Sequence, residues 1–120
     1  MSKVKTEILG PAISDFLKYE ATPLTRVAIA ASQGTKAGTF VNWNFRGSLK
    51  LLALTDEADG KVIVQPYNCI INLDQCSDSV IRAGASKSSS DVMEQLNKDG
   101  DPYSIVYFVN RKVNSRDDDL

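Results

Sequence analysis

The sequence contains no histidine among its 120 residues. This absence removes the commonest general base and metal ligand, and with it every Ser–His or Cys–His nucleophile. The glycine-rich phosphate loops and the nucleophile-elbow motif are also missing. Most acidic residues fall in turns or at the C-terminus, where carboxylates are ordinarily solvated. We therefore expect a protein that is not an enzyme, with no catalytic residue, no metal site and no cofactor.

Cysteine is scarce, and the two residues present are Cys69 and Cys76. Two thiol ligands without histidine cannot complete the tetrahedral set that a structural zinc ion requires. A disulfide between them would require an oxidising compartment. The pattern therefore favours two buried free thiols.

Long apolar runs are absent as well. No segment approaches the ~20 residues that span a membrane, and the first ten residues lack the apolar core of a signal peptide. The hydrophobic fraction of 42% and the charged fraction of 24% are ordinary for a globular protein. We predict one globular domain over residues 1–115 and an acidic, disordered tail over residues 116–120. We expect no membrane partner and a cytoplasmic location, or a virion if the chain is a coat subunit.

Bulk positive charge is also lacking. The whole chain carries a net charge of −1 and the tail, Arg116 to Leu120, carries −2, which leaves +1 on the preceding residues. Any attraction to a polyanion must therefore come from a local patch. The last four residues, "DDDL", resemble the C-terminal tip of bacterial and phage single-stranded DNA-binding proteins, without that family's closing Pro-Phe.

What the sequence does contain is a set of strand patterns. Alternating apolar residues predict strands in residues 1–10, 24–32, 40–54 and 61–73. The segment 103–113 is apolar on both parities at its middle, which predicts a central strand covered on both faces. Gly47 and Pro66 interrupt the two long runs, and Asp59-Gly60 is a typical hairpin turn. We predict that residues 40–54 and 61–73 pair as one antiparallel hairpin.

Two short helices complete the predicted fold. Pro11 suits a first helical turn, with Ile13, Phe16 and Leu17 on one face. Ser89 or Ser90 suits the N-cap of a helix over residues 91–98. The fold class is α+β or mainly β: a small twisted antiparallel sheet or partly open barrel of four to five strands with two short helices.

The strongest functional pattern is a polar row on the strand "TFVNWNFRGSLKLLALTD", Thr39 to Asp56. One parity carries amides, a guanidinium, a hydroxyl and an ammonium, which are groups that contact phosphates and unpaired bases. Aromatic rings beside cations suit single-stranded nucleic acid, because bases stack on them. The alternative is that this side of the sheet only faces water. The candidate nucleic-acid-binding residues are Phe40, Asn42, Asn44, Arg46, Ser48, Lys50, Lys61 and Tyr67.

A weaker candidate is an anion site before the predicted second helix. The free N–H groups and positive dipole end of a helix N-terminus favour an anion. The residues concerned are Arg82, Lys87, Ser89 and Ser90, although a serine-rich connection would show the same pattern.

Two function classes remain. The first is a self-associating, non-enzymatic β-rich module that binds single-stranded nucleic acid, DNA or RNA, through the polar row. The second is a structural assembly subunit, such as a viral or phage coat-type protein or an oligomeric adaptor. Both predict a homo-oligomer, because long strands with unprotected edges pair between chains.

Overall fold

The computed structural model describes residues 13–43, 49–86 and 90–114. These residues form an α+β fold dominated by short strands, as the patterns predicted. The strands are β1 Leu17–Glu20, β2 Val27–Ala30, β3 Phe40–Trp43, β4 Leu49–Leu52, β5 Lys61–Val64, β6 Cys69–Asn72 and β7 Ile105–Phe108, and the helices are α1 Asp78–Gly84 and α2 Val92–Gly100.

The strands form three small sheets rather than one, and the predicted number of four to five strands was too low. Strand β6 is central in a three-stranded sheet, antiparallel to β1 and parallel to β7. Strands β2 and β5 form an antiparallel pair, and so do β3 and β4. No closed barrel occurs in the described part of the chain.

The predicted hairpin between residues 40–54 and 61–73 was wrong in its pairing. The first run folds back on itself, so that Asn42 of β3 lies opposite Lys50 of β4. The second run divides at Pro66, which cannot donate a ladder hydrogen bond, and its halves join different sheets. The predicted turn was right: Asp59 and Gly60 both have positive φ, as a two-residue hairpin turn requires, and they connect the bridged residues Ala58 and Lys61.

The last strand was predicted to be central, but β7 lies at a sheet edge. Helix α2 packs against it, but Val106 is 49% exposed, so the prediction of a strand covered on both faces was wrong. The Asn97 amide donates to the Tyr107 carbonyl at 3.1 Å, and its oxygen accepts from the Tyr107 N–H at 2.8 Å. This pair of bonds satisfies the outer edge of β7 at Tyr107, so another strand cannot pair there.

The helices differ from the prediction in three respects. The residues after Pro11 form a 3₁₀ turn, Ile13–Asp15, and β1 begins at Leu17, so the predicted helical face was wrong. Helix α1 was not predicted, because serines obscure its short apolar face. Helix α2 was predicted, but its cap is Asp91 rather than a serine: the Asp91 carboxylate accepts from the Glu94 N–H at 3.1 Å.

The core gathers apolar residues from all three sheets and both helices, including Leu51, Leu54, Val64, Ile81 and Leu96. Cys69 and Cys76 are buried in it as free thiols, as predicted. Burial raises the pKa of Cys69 to about 12 and that of Cys76 to about 11. Among the described residues, no helix has the length and apolarity needed to cross a membrane.

Candidate nucleic-acid interface

A groove of about 1300 Å³ lies between strand β2 and the β3–β4 hairpin. We call it the β2–β3 groove. One wall is apolar and comes from β2, the second comes from residues 32–39, and the third comes from β3, Lys50 and Tyr67. Its cations are Lys36 and Lys50, and no aspartate or glutamate occurs among the described residues that line it. The described lining thus carries two cations, while the carboxylates of Asp56 and Glu57, which are not among the lining residues, bond to the backbone of the second wall.

Hydrogen bonds to two carboxylates hold the second wall in place. Asp56 accepts from the Ala37 N–H at 2.9 Å. Glu57 accepts from the Gly34 N–H at 3.1 Å and from the Gly60 N–H at 2.6 Å, and thus joins two turns. These two bonds, that from Gly60 first, lower the pKa of Glu57 from its ordinary value. The stabilisation by these two hydrogen bonds to Glu57 is therefore complete above the ordinary carboxylate pKa, and it is lost as the pH falls through the lowered pKa. At neutral pH, residues 32–39 present Lys36 from a fixed backbone.

The strand register brings Asn42 and Lys50 together, which the polar row alone did not predict. They are direct cross-strand partners, so their Cβ atoms lie ~5 Å apart on one face. The Lys50 ammonium donates to the Ala83 carbonyl at 2.8 Å. Ala83 lies in the last turn of α1, where free carbonyls carry partial negative charge and a cation is stabilising. Lys50 thus supports the fold and still has donors for a ligand.

The aromatic residues divide between core and groove. Trp43 is only 6% exposed, and its ring contacts those of Tyr67 and Tyr103 edge-on, with centroids 5.9 and 5.5 Å away. Phe40 is half-buried, with its ring 6.0 Å from that of Tyr107. A Cβ at Gly84 would lie 2.5 Å from the Phe40 ring, so this glycine permits α1 to approach β3 closely. Tyr67, which is half-buried at the groove, is the best placed of these rings for stacking on a base.

The remaining candidates for nucleic-acid binding have separate positions. Lys61 is exposed at the start of β5, opposite Ala30, and does not line the groove. Asn44, Arg46 and Ser48 lie outside the described residues. They follow Trp43 and precede Leu49, both of which belong to the hairpin. The structure therefore brings together Phe40, Asn42, Lys50 and Tyr67, and it separates Lys61 from them.

The candidate anion site lies only partly within the described residues, so it stays a prediction. The Arg82 guanidinium donates to the Asn114 carbonyl at 2.9 Å. At the start of α2, the Asp91 carboxylate accepts a hydrogen bond from a backbone N–H, which puts a negative group where an anion was expected. Ser90 is exposed just before that cap, and Lys87 and Ser89 lie outside the described residues.

Sequence patterns missed part of the groove. Val27 and Ile29 lie in a predicted strand but were not assigned to a site, and Lys36 was not among the candidate residues. The available signal was the loop "QGTKAG" itself, a lysine between two glycines that both adopt positive φ in the structure. Such a loop can place a cation beside the strands that flank it.

Among the described residues, no three cysteines or acidic residues come close enough to hold a metal ion. Comparison of the chain with protein-family models, with curated protein sequences and with solved structures gives no match.

Proposed function

We propose that the protein is a non-enzymatic, self-associating module that binds single-stranded nucleic acid in the β2–β3 groove. The observation that carries this proposal is the composition of the groove. It combines Lys36 and Lys50 with the Asn42 amide and the Tyr67 ring, and its described lining contains no carboxylate. These groups are the kind that bind phosphates, base edges and base faces.

We expect the groove to bind single strands more tightly than duplexes. Stacking contributes ~1–3 kcal/mol per base and needs an unpaired base with a free face. An apolar wall of Val27 and Ile29 beside Tyr67 offers contact to such a base, while the two lysines offer contact to its phosphates. Because every base has an aromatic face, we propose binding without strong sequence preference to DNA or RNA.

A second candidate function is a structural assembly subunit, of the viral or phage coat type or an oligomeric adaptor. The observation that favours it is exposed apolar surface close in sequence to a strand edge that no described residue covers: Leu24, in the turn that precedes β2, is 90% exposed. The two functions are compatible, since an assembling subunit can also bind its genome. We propose a cytoplasmic location for the first function and a virion for the second.

The direct test is a titration of labelled single-stranded DNA and RNA, followed by fluorescence anisotropy over a range of salt concentrations. Two or three phosphate contacts predict a log–log slope of roughly −1.5 to −2. A duplex of the same sequence is the matched control and should bind more weakly, because its bases are already stacked. Absence of salt-sensitive binding to any single strand would overturn the nucleic-acid proposal and leave assembly as the function.

A further inference from the structure

The outer edge of strand β2 presents backbone groups that no described residue pairs with. Ile63, the partner of Ala28, turns both of its backbone groups away from β2: its carbonyl accepts from the Leu54 N–H at 2.8 Å, and its N–H donates to Thr55 Oγ1 at 3.1 Å. Antiparallel ladders alternate, so Val27 and Ile29 bond to β5, while Ala28 and Ala30 point outward. The bond from the Ala31 N–H to the Gly60 carbonyl, 2.9 Å, follows the same alternation.

Within the described residues, the outward groups of this edge have no hydrogen-bond partner. Neither Ala28 nor Ala30 makes a backbone hydrogen bond on its outer side to any residue within 13–43, 49–86 or 90–114. Both residues are exposed. Natural edge strands are commonly protected by lysine, proline or a covering side chain. Strand β2, "VAIA", has neither charge nor proline, whereas the outer edge of β7 is satisfied at Tyr107 by Asn97.

Exposed apolar side chains occur on β2 and on the segments that precede it. Tyr19, Leu24 and Val27 are three of the large hydrophobic residues with substantial exposure. The ion pair between Glu20 and Arg26 holds the end of β1 beside the start of β2, so these three residues belong to one region. An open edge flanked by apolar surface is typical of a surface that pairs with another chain.

We propose that β2 pairs with β2 of a second copy, antiparallel and about a two-fold axis through Ile29. This inference names the interface for the self-association in the proposed function and depends on it. The symmetry follows from the positions of the outward groups. Ala28 of each copy would lie opposite Ala30 of the other, so that all four outward N–H and C=O pairs bond mutually, as an isologous interface requires. The result is a four-stranded sheet that continues from β5 of one copy to β5 of the other.

A second copy fits this edge better than an unrelated chain because of the side chains. Pairing about Ile29 places Ile29 beside Ile29 of the partner and Val27 beside Ala31, so that one face of the new ladder is apolar throughout. No charge of either sign lies on β2 to oppose its own copy. A partner with a different strand would need the same spacing of alternate apolar residues, which β2 itself already supplies.

The test uses a cysteine at the proposed axis. In a non-hydrogen-bonded pair the Cα atoms are ~4.5 Å apart, within the range of a disulfide. Ile29→Cys should therefore form a disulfide-linked dimer under mild oxidation, measured by non-reducing electrophoresis without nucleic acid. Ala28→Cys is the matched control: its two copies would lie ~9 Å apart, beyond disulfide range, so it should stay monomeric on the gel. The native thiols are buried and protonated, so they do not compete.

A second variant tests the edge without a cross-link. Ala30→Pro removes an outward N–H and leaves the bonds to β5 intact, so the fold should persist and light scattering should show a monomer. Three results would each overturn the proposed interface. Ile29→Cys and Ala28→Cys could cross-link equally, or neither could cross-link. The third result is a folded Ala30→Pro variant whose oligomer is unchanged. If Ala30→Pro fails to fold, the two cysteine variants decide. Nucleic-acid titration of the wild-type protein is scored separately, so failure of one proposal does not imply failure of the other.

Discussion

Replacing Trp43 with alanine should lower the free energy of unfolding by about 3–5 kcal/mol, the range for deleting a buried aromatic side chain. The indole is buried and contacts two tyrosine rings, Tyr67 and Tyr103, whose edge-on packing would be lost. Edge-to-face pairs contribute about 0.5–1.5 kcal/mol beyond area burial. Chemical denaturation monitored by circular dichroism measures the change.

The matched control is Val106→Ala on strand β7. Val106 is 49% exposed, so its truncation should cost about 0.5 kcal/mol or less. If Trp43→Ala instead kept the wild-type stability of the monomer and dispersed an oligomer, the apolar side of the hairpin would be the interface between copies. That result would contradict the core position of Trp43 and replace the β2 interface.

Replacing Lys36, Arg46 and Lys50 together with alanine should weaken binding to a single strand by about ten- to a hundredfold at low salt. Each lost phosphate contact removes ~0.7 from the log–log salt slope, so the triple variant should lower its magnitude by roughly two. Lys36 and Lys50 line the groove, and Arg46 lies in the sequence between the two strands of its hairpin wall. Anisotropy titrations at several salt concentrations measure both quantities.

Two controls separate binding from folding and from total charge. Alanine at Lys18, Lys98 and Lys112, which are exposed and do not line the groove, removes the same charge and should change the slope little. Lys36→Ala alone should leave stability unchanged, whereas Lys50→Ala should also cost about 0.5–1 kcal/mol because its bond to α1 is lost. Equal losses of affinity in both triple variants would show that binding depends on bulk charge rather than on the groove.

The sequence predicted most of the strands because hydrophobic alternation is a local property. Val62 and Val64 are buried on one parity, and the Asp59-Gly60 turn has the backbone that its residues favour. Strand pairing was not predictable in the same way, because it depends on where each run breaks. Gly47 and Pro66 were recognised as interruptions. The sequence did not indicate that the segments flanking Gly47 pair with each other, or that those flanking Pro66 join different sheets.

For the candidate site, too, the sequence predicted the local features and missed those that depend on tertiary structure. The polar row correctly placed Asn42 and Lys50 on one face, since parity is preserved when a strand folds into a hairpin. Their direct juxtaposition came from the register, and the Lys50 bond to Ala83 came from the position of a helix that the sequence did not indicate. Lys36 enters the groove only through tertiary folding, which no spacing along the chain reports.

The most direct test of the β2–β3 groove as a nucleic-acid site is an amide chemical-shift titration with a short single-stranded oligonucleotide at low salt. We expect the perturbed amides to cluster at Lys36, Asn42, Lys50 and Tyr67, and to leave α2 and the exposed Lys61 turn unchanged. Saturable shifts confined to those groove residues are the predicted result. Shifts that cluster elsewhere, or no shifts at saturating oligonucleotide, would contradict it.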